Sequence, residues 1–164
     1  MDIYAVHYHP RRADPDNRAY QRVAMRLKSA QPDAIAIAAP AIAALLPDSP
    51  IWLIPIPNCR GDTSANLALC RAIRKILPKA RICDGLTRSE PVESSCARRR
   101  LGMRGLPVKY HKMKRTAAPL LRLPVWFVDN VITTGTTFKA AHHAFGTGQG
   151  IAYADASSPA IQYG

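Results

Sequence analysis

The succession of apolar runs, polar corners and amphipathic stretches predicts an α/β fold, a mostly parallel twisted sheet flanked by helices. Three observations carry this. Ile51–Ile56 is an unbroken apolar run of strand length, followed by a polar corner and then apolar residues at helical spacing. Val125–Val128 repeats that order. The chain of 164 residues is the length of a single domain, 1–164, with a substantial core.

Taken in order, Ile3–Tyr8 alternates weakly and reads as a strand. His7 and His9 share one of its faces; with no third ligand near, they read as structural rather than metal-binding. Asp14-Pro15-Asp16 opens a helix, with Asp14 as its cap and Pro15 in the first turn. Tyr20, Val23, Ala24 and Leu27 form its core stripe, and Arg18, Arg22 and Arg26 a solvated one. Ala34–Ala39 reads as a buried strand and Ala41–Leu46 as a short helical turn. In Ile51–Ile56, isoleucine and tryptophan favour a strand. Thr63–Leu77 reads as a helix capped by Asp62 or Thr63, with Leu69, Ile73, Ile76 and Leu77 on one face. Arg81–Cys83 is a third short strand. Residues 84–124 lose clear periodicity, and a loop of that length in a compact domain is usually functional or disordered. After Val125–Val128, the spacing of Phe138, Ala141 and Phe145 predicts a helix. Residues 146–150 make a turn and Ile151–Ala154 a last strand. His142 and His143 are adjacent on the helix, face different ways, and make no paired site.

The most informative stretch is Val125–Thr137, VWFVDNVITTGTT. Its strand leads to Asp129 and Asn130 where the strand is expected to end, then to Val131, Ile132 and Thr133-Thr134-Gly135-Thr136-Thr137. A turn at a helix N-terminus suits a phosphate: backbone N–H groups point outward and the helix dipole favours negative charge. Gly135 lets the backbone approach an anion, and the four threonines supply hydroxyl donors. The preceding acid suits sugar hydroxyls or hydrated Mg²⁺.

This stretch resembles the PRPP-binding motif of the type I phosphoribosyltransferases (PRPP is 5-phosphoribosyl 1-diphosphate). That motif is an apolar strand, two adjacent acids, two apolar residues and a Thr-Thr-Gly-x-Thr loop. The departure is Asn130, where the family has its second acid. The resemblance implies that Asp129 and Asn130 meet the ribose, with Asp129 an indirect ligand of Mg²⁺, and that Thr133, Thr134, Gly135, Thr136 and Thr137 grip the 5-phosphate. It implies that Pro57, Asn58, Cys59, Arg60 and Gly61 form the pyrophosphate loop, with Arg60 able to reach the diphosphate. It makes residues 84–124 a flexible hood. There Leu86-Thr87-Arg88, a gap, and Cys96-Ala97-Arg98-Arg99-Arg100-Leu101 are similar to the hood of ComF-type phosphoribosyltransferase-like proteins. Arg88, Arg98, Arg99, Arg100 and Arg104 are its expected cations. ComF-type proteins often carry a zinc ribbon; Cys59, Cys70, Cys83 and Cys96 form no CxxC pair, so none is expected here. The four read as small buried hydrophobes in a reducing compartment.

The implied activity is transfer of the 5-phosphoribosyl group of PRPP to a nitrogenous base or amine, with release of pyrophosphate and with Mg²⁺ as cofactor. In purine-specific members a third acid follows the two apolar residues; Thr133 stands there, which argues against a 6-oxopurine. The alternative is a non-catalytic PRPP- or nucleotide-binding regulatory protein, associated with nucleic acid or not, to which the uncharged Asn130 lends weight.

The net charge of +12 sits in one segment: residues 71–122 carry 15 Lys/Arg and three acids, and the remainder 8 of each. Such an excess suits a nucleic acid, a small polyanion, or a solvated surface with no partner. Few aromatics interleave it, so the polyanion is favoured and nucleic acid is the lesser partner. Prolines break the apolar run of residues 34–57, which excludes a membrane helix there. The start, MDIYAVHYHPRR, has no signal-peptide pattern, so a cytoplasmic location is expected. A homodimer is compatible with this reading.

Overall fold

The computed structural model describes residues 2–9, 14–94, 97–98, 101–103, 106–119 and 122–157. Five strands, all parallel, form the main sheet: β1 (Ile3–His7), β2 (Trp52–Pro55), β3 (Arg81–Ile82), β6 (Val125–Ile132) and β7 (Gln149–Asp155). Their spatial order is β1-β7-β6-β2-β3. Among the described residues four helices flank it: α1 (Pro15–Leu27), α2 (Pro32–Ala43), α3 (Ser64–Ile76) and α4 (Thr136–Phe145). The α/β architecture expected from the alternation is therefore present.

Two apolar layers hold the sheet. On one face, Leu53, Trp126, Val128, Ile151 and Tyr153 meet Ala24 and Leu27 of α1, Ala38 and Ile42 of α2, and Leu69 and Ile73 of α3. On the other, Ile54 and Phe127 meet Phe138, Ala141 and Phe145 of α4. Burying a side chain such as Ile42 or Phe127 contributes about 1.5–3 kcal/mol. Gly150 is required beneath α4: a Cβ there would stand 2.4 Å from the Phe138 ring.

Several expectations need correction. Ala34–Ala39 is not a strand, and Ala41–Leu46 is not a separate turn; α2 runs through both regions to Ala43. Alternating Ala and Ile imitates a strand, but alanine is the best helix former and Pro32 is pre-shaped for the first turn. Pro40 lies inside the helix; the carbonyl it deprives of an N–H belongs to exposed Ala36, where water can serve. Asp14 caps α1 as expected, its carboxylate accepting from Asn17 N at 2.9 Å. Tyr20 and Ile76 leave their core stripes, being 37% and 46% exposed. Of the cysteines, Cys70 is buried but Cys59 and Cys83 are half-buried, and Cys96 lies outside the described residues.

Residues 84–124 are not uniformly aperiodic. β4 (Leu86–Arg88) and β5 (Met113–Arg115) form an antiparallel ladder, preceded at β5 by a 3-10 turn, Val108–His111. Three-residue strands are too short for a periodic signal, but Leu86 and Met113 pack under α4 with Phe138 and Phe145. Of the expected arginine-rich helix, Ala97 and Arg98 are helical and Cys96, Arg99 and Arg100 lie outside the described residues.

Candidate functional site

The sheet order has one switch point. From β2 the chain moves outward through α3 to β3; from β6 it moves the other way through α4 to β7. Right-handed crossovers in opposite directions place α3 and α4 on opposite faces. A crevice opens between such strands outside their carboxyl ends, and in open α/β sheets ligands bind there. The two corners read from the sequence, residues 57–62 after β2 and 133–137 after β6, both lie at this edge.

Asp129 does not follow the end of β6, as the sequence suggested; β6 continues to Ile132 because β7 pairs alongside it as far as Asp155. The pairing of β6 with β2 stops earlier, at Val128. Asp129 is thus the first β6 residue beyond its β2 partner, at the mouth of the switch point. Its carboxylate accepts from Asn130 N at 2.7 Å and from Asn66 Nδ2 at 3.1 Å. Burial raises its pKa to about 6, against those hydrogen bonds and the positive charges of Lys28 and Arg88. A carboxylate held this far from its ordinary range by its site is a functional candidate.

Beyond β6 comes the threonine corner. Gly135 takes φ +69°, a left-handed conformation that glycine adopts freely, and precedes α4 without a side-chain cap. Among the described residues, no acceptor meets the amides of residues 133–137. The Thr134 and Thr136 hydroxyls lie 2.8 Å apart. The Asp2 carboxylate bounds the corner on one side, 3.4 Å from where a Cβ of Gly135 would stand.

The corner after β2 is built differently. Asn58 Oδ1 accepts from Arg60 N at 2.8 Å and Asp62 N at 3.1 Å, while Gly61 N donates to Asn58 O at 3.1 Å and Asn58 N to Asp62 O at 2.8 Å. Asp62 accepts from Ser64 N, the first amide of α3, at 3.0 Å, which lowers the Asp62 pKa. The amides of Asn58, Arg60, Gly61 and Asp62 are thus bonded within the corner itself. Pro57 is buried, Cys59 half-buried, and the Arg60 side chain exposed.

Arg88 ties the pieces together. Its Nε donates to Asn58 O at 2.7 Å and a terminal nitrogen to Pro57 O at 3.3 Å; the other donates to His111 O. This expected hood cation is spent on backbone carbonyls of the first corner. His111 is 2% exposed, and its Nε2 lies 3.1 Å from both Leu106 O and Thr136 Oγ1. Arg98 pairs with Glu93 at 2.6 Å. Arg99, Arg100 and Arg104 lie outside the described residues.

Asp129, the threonine corner, the first corner and Arg88 therefore share the carboxyl edge, and half-buried Asn130 adjoins Asp129. Sequence reasoning missed Asn66, His111 and Lys28. Asn66 had a signal: it stands four residues before Cys70 and three before Leu69, a polar residue on a core stripe. Its amide bridges Ile56 O at 2.8 Å and Asp129, joining the chain just after β2 to β6 where their pairing stops.

Among the described residues no three His, Cys, Asp or Glu gather to hold a metal. A single carboxylate fits Mg²⁺ only as an ion carried largely by phosphate oxygens and water. No helix among the described residues is long and apolar enough to cross a membrane. Comparison with models of known protein families and with curated proteins yields no match. What is defined is a class: a parallel α/β protein with an acid and an uncapped threonine corner at its switch point.

Proposed function

We propose that this protein is a phosphoribosyltransferase that takes PRPP at the switch point. The observation that carries the reading is Asp129 beside a corner whose amides meet no acceptor among the described residues. The amides and hydroxyls of Thr133–Thr137 hold the 5-phosphate at the dipole of α4. Asp129, mostly ionised at neutral pH with its pKa about 6, accepts from the ribose hydroxyls. Asn130 can accept or donate beside it but adds no charge. Mg²⁺, when bound with the diphosphate, neutralises charge on the leaving group. A nitrogen of the base or amine bonds to ribose C1 as the bond from C1 to the diphosphate oxygen breaks, and the electron pair leaves with the diphosphate. Positive character on the sugar ring, as in other glycosyl transfers, is met by the negative field of Asp129.

A second reading, a PRPP sensor without chemistry, is favoured by two features: the missing second acid at Asn130, and the inward-turned donors of the first corner. A nucleic-acid role has weaker support in the cations Arg74 and Arg81 beside an open depression at the amino ends of β2 and β3. Thermal-shift titration with PRPP and Mg²⁺ tests the site: stabilisation of the wild type that Asp129→Ala abolishes supports both PRPP readings. No stabilisation of the wild type overturns both. Pyrophosphate release with a panel of bases then separates enzyme from sensor.

A further inference from the structure

The ring of His111 is wedged between the hairpin and the threonine corner, and its surroundings fix where its proton lies. Nε2 faces Leu106 O at 3.1 Å, and a carbonyl oxygen can only accept. Nδ1 faces a terminal nitrogen of Arg88 at 3.5 Å, and a guanidinium can only donate. Both constraints require the tautomer with the proton on Nε2. That proton is shared between Leu106 O and Thr136 Oγ1, so the Thr136 hydroxyl accepts from the ring and its own hydrogen must go elsewhere. At 2.8 Å stands Thr134 Oγ1. If Thr136 donates to it, the Thr134 hydrogen is turned outward in its place.

We propose that Arg88, His111, Thr136 and Thr134 form a one-way donor relay, in which His111 is the positioning residue that presets the threonine corner to accept only hydrogen-bond acceptors. Each member donates toward the next, from a guanidinium out to two hydroxyls beside the open amides. A fully ionised phosphate monoester, which only accepts, completes the chain. An ammonium group, which only donates, meets donors with donors, and an alcohol completes the chain with a single uncharged acceptor oxygen. The inference rests on the phosphate reading of this corner and adds what selects the ligand there.

The relay has a built-in acid limit. Protonating Nδ1 would set an N–H against Arg88. Burial and the Arg88 charge both lower the His111 pKa, against the Leu106 carbonyl, so the ring is neutral at pH 7. From β4 the ring faces Arg88, from α4 the uncharged Thr136 hydroxyl, and Lys109 and Lys112 of its own segment are exposed.

Two measurements test this. Imidazole ¹⁵N shifts of the ligand-free protein should place the His111 proton on Nε2 at pH 7.5; a proton on Nδ1 overturns the relay whatever the ligand. Ribose 5-phosphate affinity should then fall at least tenfold in His111→Leu and Thr136→Val, with much of it regained in His111→Gln, which keeps a donor. The ratio of wild-type to His111→Gln affinity should decline below pH 6.5, since comparison at equal pH cancels titration of the ligand. Variants that fold, as judged by circular dichroism, and bind like the wild type refute the relay but leave the phosphate site standing. Absence of binding by the wild type itself overturns the site, and the inference with it.

Discussion

The corners that flank the switch point have the same origin, strand to turn to helix, and opposite states. After β2, acceptors within the corner meet the amides of Asn58, Arg60, Gly61 and Asp62, and the Asp62 carboxylate meets Ser64 N, the first amide of α3. After β6, glycine stands where a capping side chain would be, and the amides of residues 133–137 meet no acceptor among the described residues. Capping by Asp, Asn, Ser or Thr typically adds about 1 kcal/mol to a helix, so the uncapped corner forgoes a common stabilisation. Under the proposed function, the 133–137 corner takes an anion as it stands, whereas the 57–62 corner would reopen, or use Arg60, to meet a diphosphate.

The largest effect should come from removing what supports the open corner. Phe127 is fully buried and meets Phe145 edge-on at 5.7 Å, joining β6 to α4. Phe127→Ala should cost about 3–5 kcal/mol in denaturant unfolding. A loss under 1 kcal/mol would mean that α4 is held by something else.

Next in size is the charge at the mouth. The folded pKa of Asp129, about 6, lies above the ordinary 3.8, so the folded chain binds this proton more tightly than the unfolded one. Its contribution to stability is fully present below pH 3.8 and is lost as pH rises through 6. Asp129→Asn retains an acceptor for Asn66 and for Asn130 N. It should stabilise the fold at pH 7.5 by about 1–3 kcal/mol while removing PRPP binding. Destabilisation at that pH would contradict the strained-charge account.

A smaller effect is expected at the closed corner. Asn58→Ala strips the acceptor from the Arg60 and Asp62 amides and should cost about 1–2 kcal/mol. Ribose 5-phosphate affinity should be unchanged, because that ligand uses the other corner. A parallel loss of affinity would dissolve the distinction between the two.

His111 should give the smallest stability effect. Its lowered pKa means that the folded state resists protonation, so its contribution is complete above pH 6.5 and declines as pH falls below that value. In His111→Gln the unfolding free energy should be flatter between pH 6.5 and 5 than in the wild type, and equal slopes would show that the ring does not titrate against Arg88.

Long apolar runs and glycine punctuation made the sheet core legible: Ile51–Ile56 and Val125–Val128 are strands because few other structures bury such runs. Alanine-rich residues 34–39 misled, since alternation with isoleucine satisfies a strand and propensity satisfies a helix. Asp129 and the threonine corner were legible because they are adjacent in sequence. His111, Asn66 and Lys28 were not singled out, because each acquires its place through a neighbour distant in the chain. Arg88 was expected as a hood cation from the resemblance alone, and nothing in the sequence showed that its guanidinium would meet the carbonyls of residues 57, 58 and 111.

The most direct test of the open corner is amide exchange of residues 133–137 with and without PRPP and Mg²⁺, read by NMR. The account predicts fast exchange in the free protein and strong protection on binding, with the amides of Arg60 and Asp62 already protected beforehand. Protection of residues 133–137 without ligand, or no change on adding it, would contradict the account.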